Sequence, residues 1–189
     1  MTGPVYILRH GETEWNRQGR MQGRLDSALT DLGRQQARHQ GRILAAQGLR
    51  GTMIMTSPSG RAMKTADLVG MALGGQPRVD PALQEIDMGD WQGQRLTDLA
   101  RRHHGLFNAP DPLGFYRHIP NGETPADVAC RLRPLLARLV PPVILITHGV
   151  TARILRCLLM GLPVEAFSGL EGGQGVVYRI EGQRHITLR

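Results

Sequence analysis

The chain has 189 residues, of which 41% are hydrophobic and 21% are charged. This composition is that of an ordinary folded protein, and it excludes disordered and collagen-like chains. A chain of this length buries roughly 70% of its unfolded surface, so it needs no disulfide or metal to fold. The formal net charge of +7 points to anionic partners.

Other classes of protein are excluded by features that the sequence lacks. The longest apolar stretches, such as 141–146, are far shorter than the ~20 residues of a membrane-spanning helix. The first residues, 1–4, carry neither the cationic segment nor the apolar core of a secretory signal, so we expect a cytoplasmic protein. The basic residues form no stripe with interleaved aromatics, which argues against nucleic-acid binding.

The cysteines and histidines do not have the spacing of a metal site. Cys130 and Cys157 fall in amphipathic patterns and are expected to be small core residues. His103 and His104 are adjacent rather than three or four residues apart, which suits a surface loop. We therefore expect no metal and no other cofactor.

Strands and helices alternate in the first half of the chain. The patterns predict a buried strand at 5–8, a helix at about 30–47, a short strand at 52–56 and a helix at 61–73. Thr30 is the expected N-cap of the first helix, and Gly48 ends it. The residues expected on its inner side are Leu32, Ala37, Ile43 and Leu44.

The second half repeats this alternation. It predicts a helix at 124–139, a strand at 143–147, a helix at about 151–159 and a terminal hairpin with strands at 175–180 and 185–188. Thr124 is the expected N-cap of the first of these helices, and Pro134 is expected to interrupt or kink it.

This order of elements predicts an α/β fold. We expect a three-layer sandwich in which a mostly parallel central sheet is flanked by helices and the hairpin adds antiparallel edge strands. Residues 1–189 are expected to form one domain, with a lid-like insertion at about 99–121, where periodicity is weak.

Two of the predicted strands end on histidine. Arg9 and His10 follow the strand at 5–8, and Thr147 and His148 end the strand at 143–147. Since ligands bind at the carboxyl ends of strands in open α/β sheets, we expect a site there.

The strand at 5–8 leads into the segment Leu8-Arg9-His10-Gly11-Glu12-Thr13-Glu14-Trp15-Asn16. This segment is similar to the signature of the histidine phosphatase superfamily, which includes cofactor-dependent phosphoglycerate mutases and many small phosphatases. The resemblance continues through ordered blocks over nearly the whole chain. These blocks are Leu8–Asn16, Gly19–Gly23 with Asp26, Leu29–Thr30 and Gly33, Ser57–Pro58 with Arg61–Ala62 and Thr65–Ala66, Leu83–Glu85 with Gly89, Trp91 and Gly93, Gly122–Thr124, and Thr147–Gly149 with Thr151 and Arg153.

The resemblance implies a role for each matching residue. His10 is the nucleophile that forms a phosphohistidine, and Glu85 is the proton donor to the leaving group. Arg9, Arg61 and His148 bind the phosphoryl oxygens. Asn16 and Gln22 line the same pocket.

Physical chemistry agrees with these roles. A transferring phosphoryl group carries negative charge that arginine side chains bind through paired donors. Nearby arginines also keep a nucleophilic imidazole neutral. Glu85 is favoured as the acid over the neighbouring Asp87 and Asp90.

Other charged residues have structural explanations. Two roles are open for Glu12, Glu14 and Glu123: an approach to the site, or turn-capping and salt-bridging, which is expected at least as strongly. A basic group in the predicted insertion is expected mainly on the solvated surface. Its members are Arg101, Arg102, His103, His104, Arg117 and His118.

Three functions remain open at this point. The preferred one is a metal-independent phosphatase for a small phosphorylated metabolite, resembling alpha-ribazole phosphatases or broad-specificity members. The second is a phosphoglycerate mutase, which is disfavoured because mutases typically continue Arg-His-Tyr-Gly after the glutamate, where this chain has Ile86–Gly89, and carry serine at the position of Gln22. The third is a noncatalytic module that binds phosphorylated ligands. The sequence predicts no oligomeric state.

Overall fold

The computed structural model describes residues 3–107 and 114–189. Its strands are β1 (Val5–Arg9), β2 (Met53–Thr56), β3 (Arg78–Val79), β4 (Val143–Thr147), β5 (Val177–Glu181) and β6 (Arg184–Leu188). Its helices are α1 (Glu14–Arg17), α2 (Asp31–Ala46), α3 (Gly60–Leu73), α4 (Leu96–Arg102), α5 (His104–Phe107), α6 (Gly114–Arg117), α7 (Pro125–Ala137) and α8 (Gly149–Met160). Three short 3₁₀ turns lie at Pro81–Leu83, Gly89–Trp91 and Val164–Gly169.

The strands form one six-stranded sheet in the order β3-β2-β4-β1-β5-β6. The pairs β2–β3, β2–β4 and β1–β4 are parallel, whereas β5 runs antiparallel to both β1 and β6. The predicted α/β fold is therefore confirmed, with a mostly parallel sheet and an antiparallel edge hairpin. The two-residue strand β3 was not predicted.

Helices cover both faces of the sheet. Side chains of one face, such as Tyr6 and Leu8, pack in a buried cluster with α2 and α3. Their neighbours Val5 and Ile7 point the other way into a second cluster with α7 and α8. Because β1 and β4 are apolar on both faces, they lie in the interior of the sheet, as continuous apolar strands do.

Helix α2 buries Ala37 and Leu44, as predicted, but not Leu32. Its N-cap is Thr30, as expected, and the hydroxyl of Thr30 accepts a hydrogen bond from the amide of Gly33. Leu32 was expected to face inward, but half of its surface is exposed. The buried stripe starts at Gly33 and continues through Ala37 to Leu44, because small residues allow α2 to approach its neighbours closely.

Helix α7 differs from the sequence-based expectations in two respects, while the expected kink at Pro134 stays a prediction. The helix runs through Pro134 to Ala137 instead of being interrupted there. Cys130 is exposed rather than in the core, since the inward face of α7 is formed by its neighbours Val128, Ala129 and Leu132. Cys157 on α8 is buried, as predicted.

The predicted insertion at 99–121 lies partly outside the described residues, which omit 108–113. The described part contains most of α4, all of α5 and α6, and buried anchors at Leu99 and Ile119. The assignment of one domain with a lid remains a prediction. In the part of the chain that is described, no helix is long and apolar enough to cross a membrane.

Candidate active site

The carboxyl ends of three neighbouring strands meet at one edge of the sheet. β4 lies between β1 and β2, and Arg9 of β1 pairs in register with Thr147 of β4. This register brings His10 and His148 together, with ring centroids 5.1 Å apart in an edge-to-face arrangement. The sheet therefore brings the two strand-end histidines together, as expected from the sequence.

The hydrogen bonds of His10 define its tautomer. Its Nδ1 lies 2.7 Å from the carbonyl oxygen of Gly11, which can only accept, so Nδ1 carries the ring proton. Nε2 then presents a lone pair and accepts a hydrogen bond from Arg61 Nε at 3.2 Å. Burial, followed by the charges of Arg61 and Arg9, lowers the pKa of His10 well below its usual value and keeps the imidazole neutral.

Arg61 is held rigidly although it begins a helix, where a cation is disfavoured by the helix dipole. Its guanidinium donates to the carbonyl oxygens of Gly23 (2.8 Å) and Leu25 (2.6 Å) and to a carboxylate oxygen of Asp26 (2.9 Å). Only 2% of the residue is exposed. Burial lowers the pKa of Arg61, and the charges of Glu85 and Asp26 oppose that shift.

Arg9 faces the same cavity. Its Nε is buried and has no hydrogen-bond partner among the described residues. Such a donor fits a site in which a bound anion supplies the acceptor. Burial lowers the pKa of Arg9, and the charge of Glu85 opposes that shift. A Cβ at Gly149 would lie 3.5 Å from the Arg9 guanidinium carbon, an ordinary van der Waals distance, so Arg9 packs beside the start of α8.

Glu85 lies at the N-terminus of α8. Its carboxylate accepts hydrogen bonds from the amides of Val150 (3.2 Å) and Thr151 (3.1 Å) and from the Thr151 hydroxyl (3.1 Å). Glu85 lines the cavity, whereas Asp87 and Asp90 do not. The geometry thus agrees with the preference for Glu85 over its two acidic neighbours.

Asn16 and Gln22 meet at the hydroxyl of Thr13. The Thr13 hydroxyl oxygen accepts from the backbone amide of Asn16 (3.2 Å) and from Gln22 Nε2 (2.8 Å). Both predicted residues line the cavity, and Gln22 Oε1 is buried without a partner among the described residues. The two side chains are positioned to contact a ligand.

The cavity has a volume of about 180 Å³ and a polar and an apolar part. Its polar lining includes Arg9, His10, Asn16, Arg20, Gln22, Arg61 and Glu85, and its apolar lining includes Met21, Ile86, Met88, Tyr116 and Val150. His148 is not part of this lining; its fully buried ring lies edge to face against that of His10.

Tyr116 was not foreseen as a site residue. It comes from α6 in the predicted insertion, and its ring packs against Phe167 at 5.6 Å and Phe115 at 5.0 Å. Burial, then the charge of Glu85, raises the pKa of Tyr116 to about 12. No local pattern distinguishes this tyrosine from a packing residue, so sequence reasoning missed it.

Three acidic residues considered from the sequence lie away from the cavity lining. Glu12 accepts from the Thr30 hydroxyl (2.8 Å), and Glu14 pairs with Arg17 on the surface. Glu123 binds Arg131, whose guanidinium also donates to the carbonyl oxygen of Glu85 (3.2 Å). Glu123 therefore supports the segment that carries Glu85.

The basic group of the insertion does not line the cavity either. Arg101 is exposed and pairs with Asp98, and His103 packs on Trp91 at 5.0 Å. Within residues 3–107 and 114–189, no group of three or more His, Cys, Asp or Glu side chains has the arrangement of a metal site. The positive charge at the cavity comes from arginine.

Comparison with known proteins agrees with this geometry. The model of the histidine phosphatase superfamily (branch 1) matches residues 5–186. The chain belongs to this superfamily. It is 34% identical to a protein named "Probable phosphoglycerate mutase GpmB" from Cronobacter sakazakii, over 97% of this chain and 87% of the relative. It is 37% identical to a glucosyl-3-phosphoglycerate phosphatase of Mycolicibacterium vanbaalenii, over 90% and 80% of the two chains.

Solved structures show the same relationship. A mycobacterial glucosyl-3-phosphoglycerate phosphatase superposes with a TM-score of 0.82 at 33% identity, over 98% of this chain and 96% of the other. The alpha-ribazole phosphatase of Shigella flexneri superposes with a TM-score of 0.80 at 26% identity, over 98% and 94%. The chain belongs to the histidine phosphatase superfamily and has phosphatases among its relatives. It is therefore classed as a phosphoric monoester hydrolase.

Proposed function

We propose that the protein is a metal-independent phosphatase that hydrolyses a small phosphomonoester through a phosphohistidine on His10. The observation that carries the proposal is the tautomer of His10. The bond from Nδ1 to the Gly11 carbonyl leaves the Nε2 lone pair at the cavity, within reach of Arg61 and in the same cavity as Glu85.

In the first step, Nε2 of His10 attacks phosphorus in line with the ester oxygen, and the P–O bond to the alcohol breaks. Arg9, Arg61 and His148 bind the phosphoryl oxygens and stabilise the charge that spreads over them. A phosphoryl oxygen then accepts the Arg61 Nε–H that Nε2 accepts in the free enzyme. Glu85, protonated, transfers its proton to the departing alkoxide.

In the second step, water attacks the phosphohistidine. Glu85, now a carboxylate, takes a proton from this water, the P–N bond breaks, and its electron pair returns to Nε2. Inorganic phosphate leaves, and the neutral imidazole is regenerated. Asn16 and Gln22 line the same cavity and contact the phosphoryl group.

Two substrate types are suggested by the relatives. One is a phosphorylated sugar acid, of the kind named for the glucosyl-3-phosphoglycerate phosphatases, and the other is a phosphorylated nucleoside, of the kind named for the alpha-ribazole phosphatase. Because one relative is named a probable phosphoglycerate mutase, phosphoglycerate mutase is the second candidate function. Against it stand Gln22 and the segment Ile86–Gly89, which differ from the mutase pattern.

The test is a screen of phosphomonoesters with purified protein in excess EDTA, ranked by kcat/KM. Because arginine supplies the charge, we expect activity to survive the chelator. Loss of activity that Mg²⁺ or Zn²⁺ restores would refute metal independence. Phosphate binding without turnover of any ester would favour the noncatalytic alternative.

The nucleophile is tested by acid-quenching the enzyme during turnover of a ³²P-labelled ester. We expect an acid-labile phosphoenzyme that is absent in His10→Ala and retained in His39→Ala, a matched change at a distant histidine. A label on any other residue would show that His10 is not the nucleophile.

A further inference from the structure

His148 makes one side-chain hydrogen bond and leaves the other ring nitrogen unsatisfied. Its Nε2 lies 2.8 Å from the Ser57 hydroxyl. Its Nδ1 is buried and has no partner among the described residues. Ser57 follows β2 directly and is itself fully buried, so β2, β4 and β1 place Ser57, His148 and His10 in a row.

The imidazole of His148 carries a single ring proton. Burial, followed by the charges of Arg61, His10 and Arg9, lowers the pKa of His148 well below its usual value. The ring is therefore neutral, and one nitrogen donates while the other accepts.

The hydrogen bonds of Ser57 fit two tautomers of His148. The Ser57 oxygen already accepts a hydrogen bond from the backbone amide of Ser59 at 3.3 Å. Its proton has two acceptors within range: His148 Nε2 at 2.8 Å and the Ser59 hydroxyl at 3.3 Å. If Ser57 donates to the Ser59 hydroxyl, its oxygen accepts from His148 Nε2–H; if Ser57 donates to His148 Nε2, the ring proton lies on Nδ1.

We propose that Ser57 is a positioning residue that holds His148 as the Nδ1–H tautomer, so that Nδ1 donates to a phosphoryl oxygen. The opposite tautomer would present a lone pair to an anion and lose that hydrogen bond. A buried donor without a partner is costly, and an anionic ligand beside His10 supplies the missing acceptor. The proposal rests on the phosphatase function proposed above.

The direct test is ¹⁵N NMR of the histidine rings in the ligand-free enzyme, with His148→Gln used to assign the signals. In the wild type we expect a pyrrole-like Nδ1 and a pyridine-like Nε2 for His148. In Ser57→Ala we expect both signals to shift towards the average of the two tautomers, whereas Ser57→Thr keeps the wild-type pattern. A protonated Nε2 in the wild type would overturn the proposal, and this result needs only the wild-type protein.

The functional test measures the affinity for inorganic phosphate and orthovanadate. We expect Ser57→Ala to weaken binding by about tenfold or more, as for loss of a preorganised donor to an anion. Ser57→Thr and the matched neighbour Ser59→Ala should stay within about threefold of the wild type. Equal affinity of wild type and Ser57→Ala would also overturn the proposal.

These outcomes are distinguishable from failure of the phosphatase function. If the wild type turned over no phosphomonoester, the function would fail, yet the tautomer and its dependence on Ser57 would still be measured. If turnover were present and the tautomer independent of Ser57, only the positioning role would fail.

Discussion

At the scale of single residues, the proposed chemistry depends on two histidines that stay neutral. Their folded-state pKa values lie well below the ordinary value, chiefly because of burial. Above pH ~6.5 both the folded and the unfolded states have neutral rings, so these residues add no pH dependence to stability. Below pH ~6.5 the unfolded state binds protons that the folded state does not, and stability falls.

This predicts a measurable loss of stability in mild acid. Between pH 7.5 and 5.5, His10 alone should lower the free energy of unfolding by about 1.4 kcal/mol. Urea denaturation in phosphate-free buffer should therefore show a smaller acid-induced loss in His10→Gln than in the wild type, by about this amount. The same loss in both proteins would mean that His10 titrates normally in the folded state.

In the proposed mechanism Glu85 protonates the leaving group, so the effect of replacing Glu85 should depend on which leaving group the substrate carries. Glu85→Gln should slow hydrolysis of alkyl phosphates by roughly 10² to 10⁴, the range of general acid catalysis. Hydrolysis of p-nitrophenyl phosphate should fall much less, because p-nitrophenolate leaves without a proton.

The control is Asp90→Asn, since Asp90 does not line the cavity and bonds to Asn121. It should change neither rate more than about twofold. An equal loss for both substrates in Glu85→Gln would assign Glu85 to binding or folding instead of proton transfer.

At the scale of elements, the loop after His10 is held by the first turn of α2. Gly11 and Gly33 pack backbone against backbone, and a Cβ on Gly33 would lie 2.0 Å from the Glu12 carbonyl oxygen. Alanine is favoured over glycine within a helix by roughly 1 kcal/mol, but a clash with backbone cannot be relieved by a rotamer change.

We therefore expect Gly33→Ala to destabilise the protein by about 1–3 kcal/mol and to lower kcat, since the displaced loop carries His10. Thermal unfolding and turnover measure both effects. Gly169→Ala is the control, because nothing lies within 4 Å of a Cβ added there. A Gly33→Ala variant more stable than the wild type would show that helix propensity outweighs the contact.

The elements themselves were largely predictable. Thr30 and Thr124 both accept hydrogen bonds as N-caps, and the strands at β1, β2 and β4 were expected from apolar runs. These signals are local. The errors at Leu32 and Cys130 arose because an apolar or small side chain in an amphipathic pattern does not by itself indicate which face meets the sheet.

At the scale of the whole molecule, the acceptor of the phosphoryl group depends on how well the site excludes water. A mutase must keep its phosphohistidine closed off until a second hydroxyl arrives. Within the described part of 99–121, Tyr116 is the residue that lines the cavity. We expect water to be the preferred acceptor.

The measurement supplies 3-phosphoglycerate with a catalytic amount of 2,3-bisphosphoglycerate and follows inorganic phosphate and 2-phosphoglycerate together. Wherever 3-phosphoglycerate reacts, phosphate release should exceed isomerisation. Isomerisation much faster than phosphate release would assign the protein to the mutases. An ester that the screen shows to be hydrolysed serves as the positive control for phosphate release.

The sequence by itself determined the alternation of strands and helices, the edge hairpin and the residue types needed for phosphate chemistry, because periodicity, caps and motifs act over a few residues. The tertiary structure decided which of these residues meet. The order of β2, β4 and β1 places Ser57 within hydrogen-bond distance of His148. The loop at 23–26 buries Arg61, and α6 places Tyr116 in the lining of the cavity that Glu85 also lines. Such contacts join residues far apart in the chain, and no local propensity encodes them.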